Sequence, residues 1–240
     1  MTLRRRKIGN KLYTLGKLYH SYWMFGIKNE QISEVFEKNQ KCKDPIIISY
    51  ILLALAKSRE KLSDEISFAE LFCADGYYAM VARYLGYSKS FGIDNDKDGY
   101  FSLAEKIRDS LNLDNVFFIK EDVKNLDKLD KVDVVANVGG LYHVSNPEEI
   151  LEKSYNMAKR FLIVQSVVSM TNDDENYFES PAPGWNWGCR FNKNSFHKMI
   201  VSKGWKILDY HFNELEGNER PEDRGSVYYL IEKKISYHNR

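Results

Sequence analysis

Hydrophobic residues follow two alternating patterns over most of this chain. Short apolar runs, typical of buried strands, alternate with stretches in which apolar residues recur at helical spacing. The runs predict strands at 67–73, 90–94, 115–119, 132–137, 161–168, 205–212 and 225–233. The helical stretches lie at 77–85, 99–111, 147–158 and 194–203. This alternation predicts an α/β fold with a mainly parallel sheet and helices on both faces. The last two strands lack a helix between them and predict an antiparallel hairpin at one edge.

The beginning of the chain has a different pattern, because basic and aromatic residues come first and helical spacing follows. The helical stretches lie at 29–39 and 45–59. Asp44 and Pro45 predict the start of the second helix, as its N-cap and its first helical residue. We expect a helical extension over residues 1–62 and the main domain over residues 63–240. The extension fits a lid, a dimer contact or a membrane-surface anchor, and its scattered aromatic residues favour packing on the domain.

The most informative segment is the predicted first strand with the turn that follows it, Phe-Ala-Glu-Leu-Phe-Cys-Ala-Asp-Gly at 68–76. A helix comes next, and then a short strand that ends in Asp94. A strand, a close turn, a helix and a strand ending in a carboxylate make half of a Rossmann-like unit. In such units the carboxylate accepts hydrogen bonds from ribose hydroxyls. The sequence therefore predicts a cofactor that contains a nucleoside.

The turn argues against a dinucleotide. A pyrophosphate site would show Gly-x-Gly-x-x-Gly, whereas this turn has the single glycine Gly76. The pattern acidic-x-x-Cys-x-x-Gly from Glu70 to Gly76 instead resembles motif I of class I S-adenosylmethionine (SAM) methyltransferases. The resemblance implies that Glu70 lies near the methionine amino group and that Cys73 to Gly76 pass close to the ligand. An ordinary strand-to-helix turn with a chance glycine is the alternative.

Two later motifs extend the resemblance. Asp122 follows the third strand, and by resemblance it accepts the adenine amino group beside the amide of Val123, although a solvated loop aspartate is an equal alternative. Gly-Leu-Tyr-His-x-x-x-Pro at 140–147 resembles the group that includes the tRNA wobble-uridine carboxymethyltransferases and many small-molecule and glycan methyltransferases. The implied fold is a Rossmann-like seven-stranded sheet, with 63–240 as the SAM-binding domain. The implied cofactor residues are Glu70, Phe72, Cys73, Ala74, Gly76, Tyr77, Asp94, Asn95, Asp122, Val123, Asn137 and Val138.

His143 is the predicted catalytic side chain. Methyl transfer to a hydroxyl needs a nucleophile aligned with the methyl carbon and a group that takes the proton, and histidine titrates near neutral pH. Tyr142 is expected to orient the methyl donor or the acceptor. A purely structural role for His143, as a cap for the helix that starts near Pro147, is the alternative.

Two segments are candidates for the acceptor site. The aromatic segment 177–191 follows the fifth strand, and we expect it to form a lid that contributes Trp185, Trp187 and Arg190 to substrate binding. The long loop between the last two strands is expected to add a second wall with Arg224. The alternative for the aromatic segment is a packed surface loop. The alternative for the loop between the last two strands is a solvated turn with ion pairs.

Composition narrows the class of function. Lys plus Arg (35) and Asp plus Glu (34) nearly cancel, so no overall positive field favours nucleic acid. Three separated cysteines suggest a reducing compartment, and no spacing of residues suggests a metal site. No apolar run approaches the roughly 18 residues of a membrane span, and no secretory signal is evident. We therefore expect a cytoplasmic enzyme without a metal, and the sequence leaves open whether it is a homodimer.

The expected reaction is SAM-dependent methylation of an oxygen or nitrogen on a small polar metabolite, such as a sugar or glycan precursor. A tRNA-modifying enzyme, a non-catalytic cofactor-binding module and a nicotinamide dehydrogenase are the alternatives. The dehydrogenase would also use Asp94, but the turn lacks its phosphate-binding glycines.

Overall fold

The computed structural model describes residues 12–60 and 65–233. Its main sheet contains β1 (Ser67–Leu71), β2 (Lys89–Asp94), β3 (Val116–Lys120), β4 (Val132–Val138), β5 (Ala158–Val168), β8 (Lys206–Glu214) and β9 (Gly225–Glu232). These seven strands lie in the order β3-β2-β1-β4-β5-β9-β8. A separate antiparallel pair, which the sequence did not predict, is formed by β6 (Phe178–Glu179) and β7 (Arg190–Phe191).

The strand directions confirm the predicted sheet. Strands β1 to β5 pair in parallel, whereas β9 is antiparallel to both of its neighbours, β5 and β8. The carboxyl ends of the first five strands therefore meet at one edge, where open α/β sheets bind ligands. All seven residues of β4 are buried, as expected of a central parallel strand covered on both faces.

Helices cover both faces of the sheet, as predicted. They are α1 (Glu34–Arg59), α2 (Tyr77–Leu85), α3 (Ala104–Leu111), α4 (Pro147–Met157) and α5 (Lys193–Ser202). Short 3₁₀ turns lie at Trp23–Phe25, Phe101–Leu103, Val123–Lys128, Leu141–His143 and Pro221–Asp223. The first three helices contribute to one hydrophobic cluster and the last two to the other. Among the described residues, none of the helices combines the length and the hydropathy that a membrane span needs.

Helix α1 corrects the prediction of two separate helices. It is continuous, with Ser33 as its N-cap and Pro45 in its interior. An internal proline costs about 3 kcal/mol or more, because it removes one hydrogen bond and crowds the preceding turn. Asp44 is not the predicted cap, because its buried carboxylate accepts hydrogen bonds from Trp23 Nε1 at 2.6 Å and Tyr78 Oη at 2.7 Å. These contacts tie the helix to its neighbours and help to offset the cost.

The segment 12–33 packs over the turn between β1 and α2. The backbone amides of Tyr19 and His20 both donate to Asp75 Oδ2 at 3.0 Å, and Nδ1 of His20 lies 2.6 Å from Oδ1 of Asp75. Tyr22 Oη donates to the backbone oxygen of the same aspartate at 3.0 Å. A fully buried carboxylate needs such partners, so the segment is fixed at the carboxyl edge of the sheet.

Candidate active site

The turn after β1 brings backbone close to the end of β2. Phe72, Ala74 and Gly76 all have positive φ, at 57°, 48° and 81°. At Gly76 a Cβ atom would lie 2.3 Å from the ring of Phe118, so this position needs glycine for space as well as for conformation. The tight turn points the amide of Ala74 at Asp94 Oδ2, at 3.0 Å.

Asp94 is held in one orientation by the backbone. Its Oδ1 accepts from the amide of Asp96 at 2.7 Å, and its Oδ2 accepts from Ala74. Burial raises the pKa of Asp94, while these two amides act in the opposite direction. A carboxylate has about four positions for accepting hydrogen bonds, so it retains capacity for the hydroxyls of a ribose.

A cavity of about 740 Å³, which we call the outer cavity, opens at the carboxyl ends of the strands. The predicted site residues in its wall are Phe72, Ala74, Asp94, Asn95, Asp122, Val123, His143 and Trp187. Tyr19, Lys97, Asp98, Tyr100 and Lys124 also line it. Oδ1 of Asp122 accepts from the amide of Lys124 at 2.9 Å, so this aspartate caps a 3₁₀ turn and also faces the cavity. The structure thus brings the carboxylates that follow β2 and β3 into one cavity.

A second, smaller cavity of about 70 Å³, the inner chamber, adjoins the outer cavity. The predicted site residues in its wall are Glu70, Phe72, Val138 and Tyr142. Residues before β1 supply much of the rest, among them Tyr19, His20, Gln31, Gln40 and Lys43. Both cavities share Tyr19, Phe72 and Gly139, and we call this shared part of their walls the neck.

Glu70 places a carboxyl group in the wall of the inner chamber. It is 1% exposed and accepts a hydrogen bond from the amide of Ala79 at 2.8 Å. Burial raises the pKa of Glu70 well above its usual value, and the nearby charge of Asp75 adds to this effect. A cationic ligand group in the chamber would stabilise the charged form of Glu70.

Lys43 and Gln31 give the inner chamber further unused polar groups. Burial lowers the pKa of Lys43, and its amine has no ion-pair partner within the described parts of the chain. Gln31 Nε2 donates to the backbone oxygen of Tyr19 at 2.8 Å, which fixes the orientation of the amide, and its buried Oε1 has no partner there. The chamber wall therefore offers Lys43 to the carboxylate of an amino acid, and it offers oxygen atoms of Glu70 and Gln31 to the ammonium group.

His143 lies in the 3₁₀ turn after β4, on the wall of the outer cavity. Its ring stacks on Trp187 with 5.1 Å between centroids and 6° between planes, and it lies 4.2 Å from the ring of Tyr142. Burial lowers the pKa of His143 to about 4, and the charge of Arg190 acts in the same direction. The ring is accessible from the cavity, which moderates the effect of burial, but both causes favour neutral imidazole at pH 7. The capping alternative has no support at this helix, because Asn146 and not His143 is the N-cap residue of α4.

Several predicted site residues line neither cavity. Tyr77 is buried behind the turn and donates to Asp44 Oδ2 at 3.0 Å. Asn137 is fully buried, and its amide nitrogen donates to Ser154 Oγ at 2.9 Å. The others outside both linings are Cys73, Gly76, Trp185, Arg190 and Arg224. Cys73 and Gly76 shape the turn from behind, and half-exposed Trp185 lies outside the cavity wall.

The two arginines predicted for substrate binding lie outside the linings of both cavities, and each is near an acid. Arg190 is 3% exposed, and its Nε and Nη2 both lie within hydrogen-bond distance of Asp223 Oδ1, at 2.9 and 2.6 Å. Arg224 lies 3.3 Å from Glu214 across the terminal hairpin. The sequence could not reveal these pairings, because it does not say which acid each arginine meets.

The residues that sequence reasoning missed come from the part of the chain before β1. They are Tyr19, His20, Gln31, Gln40 and Lys43. Only the aromatic and basic character of residues 1–28 hinted at a function there, and no spacing linked it to the turn some fifty residues later. Within the described residues no cluster of three or more His, Cys, Asp or Glu side chains is arranged to hold a metal ion.

The model of a methyltransferase domain family matches residues 62–214, which is more than half of the chain. The chain belongs to this methyltransferase family. It is an S-adenosylmethionine-dependent methyltransferase, and the turn, the carboxylates and the two adjoining cavities fit that cofactor. A comparison with curated protein sequences finds no match.

Solved structures share the fold at low sequence identity. The N-terminal domain of EvdMO1 with SAH bound is 14% identical, with a TM-score of 0.67 and coverage of 98% of this methyltransferase and 100% of that chain. Magnesium protoporphyrin IX methyltransferase (ChlM) from Synechocystis PCC 6803 with bound SAH is 13% identical, with a TM-score of 0.62 and coverage of 96% and 98%. The [4+2]-cyclase SpnF is 14% identical, with a TM-score of 0.59 and coverage of 79% and 80%. These similarities support the fold, and the variety of these proteins leaves the acceptor open.

Proposed function

We propose that this methyltransferase transfers a methyl group from SAM to an oxygen or nitrogen of a small polar molecule, with His143 as the base. The observation that carries the proposal is the placement of His143 in the same cavity wall as Asp94 and Asp122. A ligand held by those carboxylates would present its reactive end toward a histidine that is neutral at pH 7.

The proposed position of SAM follows the line of the two cavities. Asp122 and Val123 would hold the adenine, and Asp94 would accept from the ribose hydroxyls. In the inner chamber Glu70 would accept from the ammonium group of the methionine end, and Lys43 would bond its carboxylate. This arrangement gives Lys43 an ion-pair partner and brings the ammonium group to the chamber in which Gln31 Oε1 has no partner, and partnering is the usual requirement for buried polar atoms.

The chemistry at the neck is an in-line displacement. When bound, SAM would supply a methyl group on a positively charged sulfur, and the acceptor oxygen or nitrogen would displace the neutral thioether from the methyl carbon. The ring of His143 takes the proton of the acceptor, and holding the reactants about 3 Å apart supplies much of the rate.

A sugar or glycan precursor is the proposed acceptor class. The outer cavity is large enough for the adenosine part of SAM together with a small molecule, and its wall offers Lys97, Asp98 and Ser145 as hydrogen-bonding groups. EvdMO1, one of the proteins with the same fold, was crystallised in the presence of D-fucose. A tRNA acceptor, which the motif at 140–147 also suggested, has less support because the charges of the chain balance.

The segment 12–33 is proposed to act as a lid over the methionine end. It supplies Tyr19 at the neck and His20 and Gln31 to the inner chamber. Because Asp75 joins this lid to the turn that follows β1, the chamber is complete only when the lid is in place.

The test is a screen of sugars, nucleotide sugars and other polar metabolites for release of S-adenosylhomocysteine (SAH). With the acceptor found, His143→Asn should lower turnover by about 10²–10⁴ and leave SAM affinity nearly unchanged. His211→Asn is the matched control, because His211 is exposed on β8, away from both cavities. Wild-type turnover in His143→Asn would refute the base, and tight binding of NADH in place of SAM would refute the cofactor.

A further inference from the structure

Arg190 carries a charge that the proposed reaction does not use. Its side chain is almost fully buried, yet it contacts no cavity. Burying an arginine is costly unless its donors are partnered, and a buried ion pair often stabilises a fold no more than apolar residues of similar volume would. Stability alone therefore does not explain why Arg190 is buried.

Those contacts converge on the turn that contains His143. Nη1 of Arg190 donates to the backbone oxygens of Cys189 at 2.7 Å and Tyr142 at 3.3 Å, and the guanidinium lies 5.2 Å from the centre of the Tyr142 ring. The amide of Cys189 donates to the same oxygen of Tyr142 at 3.0 Å. At Gly188 a Cβ atom would lie only 2.4 Å from that oxygen. The segment 187–190 thus encloses the turn, with Trp187 against His143.

Asp223 holds the arginine from the other side. Its Oδ1 accepts both Nε and Nη2 of Arg190, while its Oδ2 lies 3.6 Å from Nη1 of Arg220. Asp223 belongs to the loop between β8 and β9, far in sequence from the catalytic turn. One side of the guanidinium therefore bonds the backbone beside His143, and the other side bonds a carboxylate.

The charges around His143 come from several elements. Arg190 on β7, Lys43 on α1 and Lys97 after β2 all favour the neutral ring, and Asp98 after β2 opposes them. Of the three cations, Arg190 has the largest effect on His143. Its field at the ring depends on how far Asp223 neutralises it.

We propose that the Arg190–Asp223 ion pair is a positioning device for the base, which fixes the Tyr142–His143 turn against Trp187 and sets the charge beside the imidazole. This inference rests on the proposed role of His143 as base. It gives Arg190 a task at the active site without contact to the acceptor.

The test uses NMR titration of the His143 ring, assigned by comparison with His143→Asn. Arg190→Gln should raise the pKa of His143 by about 0.5–1 unit, because a nearby positive charge is lost. Asp223→Asn should lower it, because Arg190 loses its counter-charge. Arg190→Lys keeps the charge and should leave the pKa close to that of the wild type. If the substitutions only loosened the turn, the pKa of His143 would instead move toward its ordinary value of 6.5 in all three variants.

A second measurement tests whether Arg190 positions the ring of His143 against Trp187. Nuclear Overhauser effects between the rings of His143 and Trp187 should weaken in both Arg190→Lys and Arg190→Gln, since neither side chain supplies the forked donors. If Arg190→Gln folds poorly, the double variant Arg190→Gln, Asp223→Asn can replace it, because it removes both charges together. The pKa of His143 should again rise in the double variant.

Three outcomes would overturn the inference: shifts of the same sign in Arg190→Gln and Asp223→Asn, a pKa in Arg190→Lys as high as in Arg190→Gln, or unchanged ring contacts in both Arg190 variants. These results are separable from failure of the proposed function. Wild-type turnover in His143→Asn would show that His143 is not the base. The titration would still show whether the ion pair changes the pKa of His143.

Discussion

Replacing Lys43 with methionine tests whether the inner chamber binds the amino-acid end of SAM. Methionine keeps most of the apolar stem of lysine and removes only the cationic donor. A hydrogen bond to a charged partner contributes about 1.5–3 kcal/mol, and each 1.4 kcal/mol corresponds to about tenfold in affinity. Lys43→Met should therefore weaken SAH binding by about 10- to 150-fold. Since the side chain is only partly buried, the lower half of this range is expected.

The assay is calorimetry with two ligands. SAH has the α-amino and α-carboxyl groups, whereas 5′-methylthioadenosine keeps the nucleoside and the sulfur but lacks the amino-acid end. The variant should lose affinity for SAH and bind 5′-methylthioadenosine like the wild type. Lys41→Met is the matched control, because Lys41 is on the same helix but is exposed and paired with Glu37. Equal losses for both ligands, or no loss for SAH, would refute the placement of the carboxylate at Lys43.

Three further predictions concern the turn, the ribose site and the base. Asp94→Ala should weaken SAH binding by roughly 1.5–3 kcal/mol for each ribose hydrogen bond lost, and unchanged affinity in calorimetry would contradict the assignment. Gly76→Ala should lower the thermal midpoint more than Gly99→Ala does, because both have φ near 80° but only Gly76 has a ring, that of Phe118, where the Cβ would lie. The pKa of His143 lies below its ordinary 6.5 in the folded protein, so the unfolded chain binds more protons as the pH drops below this value. Stability measured by urea unfolding should therefore fall as pH drops from about 6.5 toward 4, and His143→Asn should flatten this fall.

The sheet was predictable because its signals are local. Apolar runs marked β1, β2, β4 and β5 within a few residues, and parallel pairing then brings the ends of these strands to one edge. Asp94 was assigned from the strand that it ends and Asp122 from the family resemblance, and both lie in the wall of one cavity.

The errors arise where distant residues decide the structure. Pro45 is a good helix start by local rules, but packing of Asp44 against Trp23, Tyr77 and Tyr78 keeps the helix continuous. Arg190 was assigned to the acceptor because its segment was placed correctly near the site while its partner was unknown.

The inner chamber shows the same limit. Tyr19 and Asp75 are 56 positions apart, and hydrogen bonds over such separations leave no periodic pattern in a sequence. The sequence shows that the turn contains Asp75, but it does not show which residues bond to its carboxylate.

The position of β9 in the sheet has a practical consequence for working with this protein. The family match ends at residue 214, yet β9 lies between β5 and β8, so a fragment trimmed to 62–214 would leave those two strands without the strand that joins them. The same fragment would lack the lid and Lys43, which form part of the inner chamber. The segment of sequence that identifies the family is therefore smaller than the unit that can fold and bind, and cloning boundaries drawn from the match would yield an aggregation-prone protein with an exposed sheet edge.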